Sequence, residues 1–238
     1  MGDLEKLIRY LERKNYGDFI TPFFELIAII IGLLYVRKEK LRILFLVYLI
    51  FDFLIFLCDI YLDAFSSFTK KEIDFFIGLT NNLISLVELL VYFYFFSNIL
   101  RNRTIIKLMK ISAMIFIVII GLLVTTKYSF LTNRFPYITD LIGTIEFLLL
   151  ILPCFVFFYE LFQDDSAIKL HRRPSFWIVT GIFFYSVMSV PYFMITHFIA
   201  SNLVNYFSLT YLLLFSIPFT INFIFLTRAF LCKKVLTI

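Results

Sequence analysis

The sequence predicts an all-α membrane protein, a bundle of seven transmembrane helices in a single domain covering residues 1–238. Hydrophobic residues make up 61% of the 238 residues and charged residues only 16%. Soluble domains typically contain about 45–50% apolar residues and about 25% charged residues. The mean hydropathy is +0.94. Apolar stretches of about 20 residues, long enough to cross a bilayer as a helix, recur along the chain. This composition excludes a soluble enzyme, a disordered tail and a nucleic-acid-binding domain, so we expect no direct nucleic acid binding.

Seven apolar stretches follow one another, separated by short charged connectors such as 37–40 and 101–103. Strands of a membrane barrel would alternate polar and apolar residues over about 10 positions, and stretch 27–36 shows no such alternation. Helices satisfy all their backbone polar groups internally, so each stretch is predicted to be a helix. The predicted spans are 19–36, 43–62, 74–99, 105–126, 137–162, 175–200 and 204–230.

The segment before the first span, residues 1–16, is predicted to be a short interfacial helix. Leu4, Leu7, Ile8 and Leu11 follow the spacing i, i+3, i+4, i+7, which places them on one helical face. Basic side chains lie mostly outside this stripe, as in helices that rest on a membrane surface. The mixed charge of the segment also argues against a signal peptide.

The distribution of basic residues predicts the orientation. The connectors after spans 1, 3 and 5, together with the C-terminal tail, hold 14 of the 22 Lys and Arg residues. Cytoplasmic segments carry such an excess, so the N-terminus is expected outside and the C-terminus in the cytoplasm, in the inner (plasma) membrane of the cell. The residues are Arg37, Lys38, Lys40, Arg42, Arg101, Arg103, Lys107, Lys110, Lys169, Arg172, Arg173, Arg228, Lys233 and Lys234.

Three glutamates lie within the spans that run from outside to inside. Glu25 precedes Arg37 by 12 residues and Glu88 precedes Arg101 by 13. Both therefore lie about 18–20 Å from the cytoplasmic edge. Glu146 lies at a similar depth if Glu160 marks the inner interface. Because a charged group facing lipid costs ~3 kcal/mol on insertion scales, these carboxylates are predicted to form a layer inside the bundle.

Other polar residues of the spans are candidates for the same layer. They are Asp52 in span 2, Asn81 and Asn82 in span 3, Asp140 in span 5, His197 in span 6 and Asn222 in span 7. We single out Glu25, Asp52, Asn82, Glu88, Glu146 and His197 as candidate ligand- or ion-binding residues. Carboxylates with one histidine suit a hard cation or a proton relay. The alternative is that these residues form ordinary interhelical hydrogen bonds, and the sequence leaves the identity of any metal open.

Several features resemble a loose group of small seven-helix bacterial membrane proteins. They are Glu25 with Gly32, the segment Glu88–Phe95, the segment Phe176–Gly181, and Tyr185 with Pro191. The resemblance implies a seven-helix fold and a role for Glu25 and Glu88. Members of this group look like accessory or sensory membrane subunits.

The sequence offers no catalytic constellation and no cofactor motif, so we expect neither an enzyme nor a cofactor. The leading hypothesis is a non-enzymatic sensory or accessory membrane subunit with a buried carboxylate cluster and a cytoplasmic protein partner at the basic loops. The alternatives are a proton- or cation-coupled carrier or pore, and a membrane effector of a defence system. The lipid bilayer is an expected partner, and a second copy of the chain is an alternative that the sequence leaves open.

Overall fold

A computed structural model describes residues 17–35, 39–65, 69–125, 128–163, 170, 172–199 and 208–232. These residues form seven α-helices and no strand. The helices are α1 Gly17–Tyr35, α2 Lys40–Phe65, α3 Lys70–Ile99, α4 Arg103–Thr125, α5 Tyr128–Phe162, α6 Pro174–Ile199 and α7 Ser208–Leu231. The interfacial helix predicted over 1–16 lies outside the described residues.

Each helix coincides with one predicted span, and the main difference is that α5 begins at Tyr128 instead of residue 137. Five helices are long and apolar enough to cross a membrane. Their qualifying segments are Lys40–Leu62, Phe76–Ile99, Arg103–Leu122, Leu141–Phe162 and Pro174–Met194. The apolar stretches of α1 and α7, Phe19–Tyr35 and Ser216–Leu231, are shorter. The architecture is therefore all-helical and compatible with a membrane protein.

Six of the helices close a ring. Helix α1 packs on α2, α2 on α3, α3 on α5, α5 on α6, α6 on α7, and α7 packs back on α1. Helix α4 lies outside this ring, packed mainly along α3 with a minor contact to α5. Chain order therefore differs from spatial order at one point, where α3 and α5 meet directly.

Two glycines allow neighbouring helices of the ring to approach closely. A Cβ atom at Gly32 of α1 would lie 2.7 Å from Cδ1 of Leu46 in α2. A Cβ atom at Gly181 of α6 would lie 2.9 Å from the Cβ of Phe225 and 3.0 Å from Oδ1 of Asn222, both in α7. Small residues at such contacts favour close packing of membrane helices.

A buried arginine joins the start of α2 to the end of α7. The side chain of Arg42 is 1% exposed, and its guanidinium donates a 2.9 Å hydrogen bond to the carbonyl oxygen of Cys232. Its Nε lies 2.9 Å from the carboxylate of Glu39. The last carbonyls of a helix lack intrahelical partners and carry partial negative charge, so a cation there is stabilising. The sequence analysis counts Arg42 among the basic residues that predict the orientation. In the structure, Arg42 also caps the C-terminal end of α7.

A second contact orders the connector between α3 and α4. The backbone N–H groups of Arg101 and Asn102 each donate a 2.9 Å hydrogen bond to the carboxylate of Glu160 near the end of α5. The side-chain oxygen of Asn102 accepts from the N–H of Thr104 at 3.0 Å, the usual role of an N-cap residue. The start of α4 is therefore fixed against the end of α5.

These contacts place the starts of α2, α4 and α6 and the ends of α3, α5 and α7 at one end of the bundle. The guanidinium of Arg228 near the end of α7 lies 5.7 Å from the ring of Trp177 near the start of α6. We call this the basic end. Its described basic residues are Lys40, Arg42, Arg101, Arg103, Lys107, Lys110, Arg172, Arg173 and Arg228.

Candidate functional site

Four carboxyl groups from four helices form a chain of interacting pairs inside the ring. The carboxyls of Glu25 in α1 and Asp52 in α2 are close enough to interact with each other. Glu88 in α3 interacts electrostatically with Asp52 and with Glu146 in α5. Glu25 and Glu88 are 4% exposed and Glu146 is 1% exposed. We call these four residues the carboxyl cluster.

Glu88 is the member of the cluster with the most partners. The hydroxyl of Tyr185 in α6 donates a 3.4 Å hydrogen bond to its Oε2 atom. The hydroxyls of Tyr48 in α2 and Tyr92 in α3 also lie close enough to the same carboxyl to interact with it. The amide of Asn222 in α7 donates a 3.0 Å hydrogen bond to the hydroxyl oxygen of Tyr92. Glu88 is therefore connected to α2 and α6 directly and to α7 through Tyr92.

Ring packing fixes the position of the Tyr185 hydroxyl. The ring of Tyr185 lies 4.9 Å from that of Phe147 in α5 and 4.8 Å from that of Phe219 in α7, in edge-to-face arrangements. Such pairs contribute about 0.5–1.5 kcal/mol beyond their buried area. The ring of Tyr48 lies 6.0 Å from the ring of Tyr92. The hydroxyls around Glu88 are thus held on rings that the bundle immobilises.

Several buried oxygens in the bundle have no hydrogen-bond partner among the described residues. Each of the three glutamates of the cluster leaves its Oε1 atom unpartnered. Seven more oxygens share this property, those of Thr21, Glu39, Asn82, Ser186, Ser189, Thr220 and Asn222. A buried polar atom without a partner costs about 1–3 kcal/mol, and native proteins keep few of them. The unpartnered Oε1 atoms of the three glutamates are suited to a species that brings positive charge or donors, such as a proton, a cation or a polar ligand.

The structure brings four of the six predicted site residues together, namely Glu25, Asp52, Glu88 and Glu146. Asn82 is buried at 4% exposure on α3, six positions before Glu88 and therefore about 9 Å away along the helix. The side chain of His197 lies outside the described residues, so its role stays a prediction. Among the described residues, no group of three or more His, Cys, Asp and Glu side chains is placed to hold a metal ion.

The tyrosines Tyr48 and Tyr92 are site residues that the sequence analysis does not select as candidates. Each lies four positions from a carboxylate of its own helix, Tyr48 before Asp52 and Tyr92 after Glu88. Residues four apart share a helical face, and this spacing is the signal that identifies them. Tyr185, and Tyr92 as part of the segment Glu88–Phe95, enter the sequence analysis only through the resemblance.

All six helices of the ring contribute polar side chains to the bundle interior, and α4 contributes none among its described buried residues. The buried side chains of α4 are Ile106, Met109, Ala113, Phe116 and Ile120. The candidate site is therefore built from the six helices of the ring, and α4 lies outside it.

Comparison with known proteins adds no further constraint, since no family model, no curated protein and no solved structure matches this chain.

Proposed function

We propose that the chain is a multi-pass integral membrane protein of a bacterial inner membrane, with seven spans and a cytoplasmic basic end. Five helices meet the length and hydropathy needed for a span. The 17-residue apolar stretch of α1, Phe19–Tyr35, is at the short limit for crossing a bilayer. The accumulation of Lys and Arg at one end supports the orientation with the N-terminus outside.

The orientation is tested by cysteine labelling of intact cells. The native cysteines Cys58, Cys154 and Cys232 are replaced, and one cysteine is engineered into the connector 163–174. We expect a membrane-impermeant reagent to label it only after the membrane is opened. Strong labelling in intact cells would reverse the orientation.

Within this membrane protein we assign the carboxyl cluster the role of a sensory site, and the chain the role of a non-enzymatic sensory or accessory subunit. The observation that carries this proposal is the connection of Glu88 to three other helices, through Tyr48, Tyr185 and the Tyr92–Asn222 pair. A proton or cation arriving at Glu88 changes which of these hydrogen bonds are made. Because α2 begins and α7 ends at the basic end, the change reaches the surface where a cytoplasmic partner would bind.

The native Cys232 provides a reporter for this change, because it lies at the end of α7 and its carbonyl accepts from Arg42. In a Cys58→Ser background, which removes the one exposed native cysteine, the rate of maleimide labelling is measured between pH 5 and 9. The same series is run with Glu88→Gln. We expect the ratio of the two rates to vary with pH, and the intrinsic titration of the thiol cancels in that ratio. A constant ratio would contradict a sensory role for Glu88.

A proton- or cation-coupled carrier is the second candidate, favoured by the unpartnered Oε1 atoms of Glu25, Glu88 and Glu146. Three carboxylate oxygens open to a new ligand suit a species that binds and leaves. Proteoliposomes that carry the purified protein and a pH-sensitive dye separate the two functions. Robust flux that Glu88→Gln abolishes establishes the carrier and overturns the sensory proposal. Flux equal to that of protein-free vesicles contradicts the carrier.

A further inference from the structure

Helix α4 has one face buried against the ring and the opposite face exposed. The buried residues Ile106, Met109, Ala113, Phe116 and Ile120 recur every three or four positions and form one stripe. Within the described residues α4 packs mainly on α3 and slightly on α5, and no described helix covers the other side. The outer face of α4 is therefore open to its surroundings.

A second stripe of residues runs along this outer face and changes from basic to apolar along its length. It begins with three exposed basic residues, Arg103, Lys107 and Lys110. It continues with Met114 and Val118, which are 60% and 59% exposed, and ends at Leu122 with 61%. Successive members lie three or four positions apart, so they share one face of the helix. None of the three basic side chains forms an ion pair within the described residues.

We propose that the outer stripe of α4, defined as Arg103, Lys107, Lys110, Met114, Val118 and Leu122, binds an anionic phospholipid. The headgroup phosphate contacts the basic residues and an acyl chain lies along the apolar ones. Lys110 lies about 10 Å along the helix from Arg103, and long basic side chains extend toward the interface from such depths. Basic residues at a membrane surface attract anionic lipids. The proposal requires that α4 spans a membrane, and it is independent of the carboxyl cluster.

Charge favours a lipid over a second copy of the chain on this stripe. Two copies in one membrane share the same orientation and are related by an axis along the membrane normal. Their α4 stripes would then face each other with Lys107 opposite Lys107 and Lys110 opposite Lys110. Like charges at such a contact repel each other, whereas a phosphate is complementary to both lysines.

The test is native mass spectrometry of the purified full chain titrated with phosphatidylglycerol, and with phosphatidylcholine of the same acyl chains. The K107Q/K110Q variant removes two charges from the stripe. The K40Q/R172Q variant is the matched control, because both residues are exposed at the basic end but lie on α2 and on the connector before α6. All these residues are exposed, and unchanged melting temperatures verify that the variants fold. Millimolar inorganic phosphate is added as a competitor.

We expect phosphatidylglycerol to bind the native chain at least tenfold more tightly than phosphatidylcholine. K107Q/K110Q should weaken binding roughly 25-fold, from the usual contribution of a basic residue near anionic lipid, and K40Q/R172Q by less than about threefold. Equal weakening by both variants would overturn the proposal, because the lipid would then respond to overall charge. It would also be overturned by displacement with inorganic phosphate, or by a dimer that dissociates in K107Q/K110Q.

Discussion

The hydroxyl oxygen of Tyr92 in α3 accepts a 3.0 Å hydrogen bond from the amide of Asn222 in α7, across the interior of the ring. Tyr92 is fully buried and Asn222 is 3% exposed. Helices α3 and α7 are not neighbours in the ring, so this contact bridges it. Because the same tyrosine interacts with the carboxyl of Glu88, the bridge links the carboxyl cluster to α7, whose C-terminal end is capped by Arg42 of α2.

Replacement of Tyr92 by Phe is expected to destabilise the bundle. The change removes the bridge and leaves the buried amide of Asn222 without its acceptor. Hydrogen bonds between membrane helices contribute about 0.6 kcal/mol on average and up to about 1.7 kcal/mol, and full burial places this one toward the upper value. Thermal unfolding in detergent measures the loss.

Tyr94 provides the matched control, because it lies on the same helix but is 52% exposed. We expect Tyr94→Phe to unfold at the temperature of the native chain. If Tyr92→Phe and Tyr94→Phe melt alike, the bridge does not stabilise the bundle.

Substitutions at Glu88 separate a structural carboxyl from a functional one. Glu88→Gln keeps a hydrogen-bonding side chain and removes the titratable group, so stability should change by about 1 kcal/mol or less. Glu88→Leu removes the acceptor of the Tyr185 hydroxyl and the polar neighbour of the Tyr48 and Tyr92 hydroxyls, so it should lower stability further. The measurements are thermal unfolding and the pH dependence of Cys232 labelling.

A functional carboxylate requires Glu88→Gln to lose the pH response while the unfolding temperature is kept. If Glu88→Gln retains the unfolding temperature, the pH response and any cellular phenotype of the native chain, Glu88 is not a functional residue. A large loss of stability in Glu88→Gln would assign it a structural role.

The helices follow from the sequence, but the position of α4 outside the ring does not. In a membrane, the lipid and a neighbouring helix are similarly apolar, so hydropathy does not distinguish a packed face from a lipid-facing one. On α4, Met109 is 4% exposed and Met114 is 60% exposed, although both are the same residue type in the same helix. Only the three-dimensional packing assigns their faces.

The carboxylates of the candidate site could be predicted to face inward because their cost in lipid is high. The tyrosines could not be selected by residue type, since the chain has 14 of them and an amphipathic ring also suits the membrane interface. The role of Arg42 depends on a contact with Cys232, 190 positions away. No local pattern indicates that contact.

Gly181→Ala is expected to disturb the α6–α7 contact. The added methyl would lie 2.9 Å from the Cβ of Phe225 and 3.0 Å from Oδ1 of Asn222, so one helix must move. Overpacking of this kind costs about 1–3 kcal/mol, more than the gain of up to about 1 kcal/mol from replacing glycine by alanine in a helix.

The control is Gly121→Ala in α4, where a Cβ would meet nothing within 4 Å. This variant should be as stable as the native chain or slightly more stable. Equal unfolding temperatures for Gly181→Ala and Gly121→Ala would show that α6 and α7 are not closely packed at Gly181.

Arg42→Gln should release the end of α7 from the start of α2. Gln cannot supply both the charge and the reach of the guanidinium, so the carbonyl of Cys232 loses its cationic donor and Glu39 loses its ion-pair partner. Breaking a buried pair costs about 3–5 kcal/mol. Glu39, which is 16% exposed, regains hydration, so we expect about 2 kcal/mol of destabilisation.

A second effect of Arg42→Gln is expected at the Cys232 thiol. Burial raises the pKa of this thiol, and the positive charges of Arg228 and Arg42 lower it. Loss of Arg42 therefore raises the pKa further, which slows maleimide labelling at neutral pH, whereas release of α7 exposes the sulfur and accelerates it. The labelling rate extrapolated to high pH, where the thiol is fully ionised, isolates exposure and should increase. The control is Lys40→Gln, a change at an exposed residue on the same helix. If Lys40→Gln and Arg42→Gln have the same unfolding temperature and the same labelling rate, Arg42 does not cap α7.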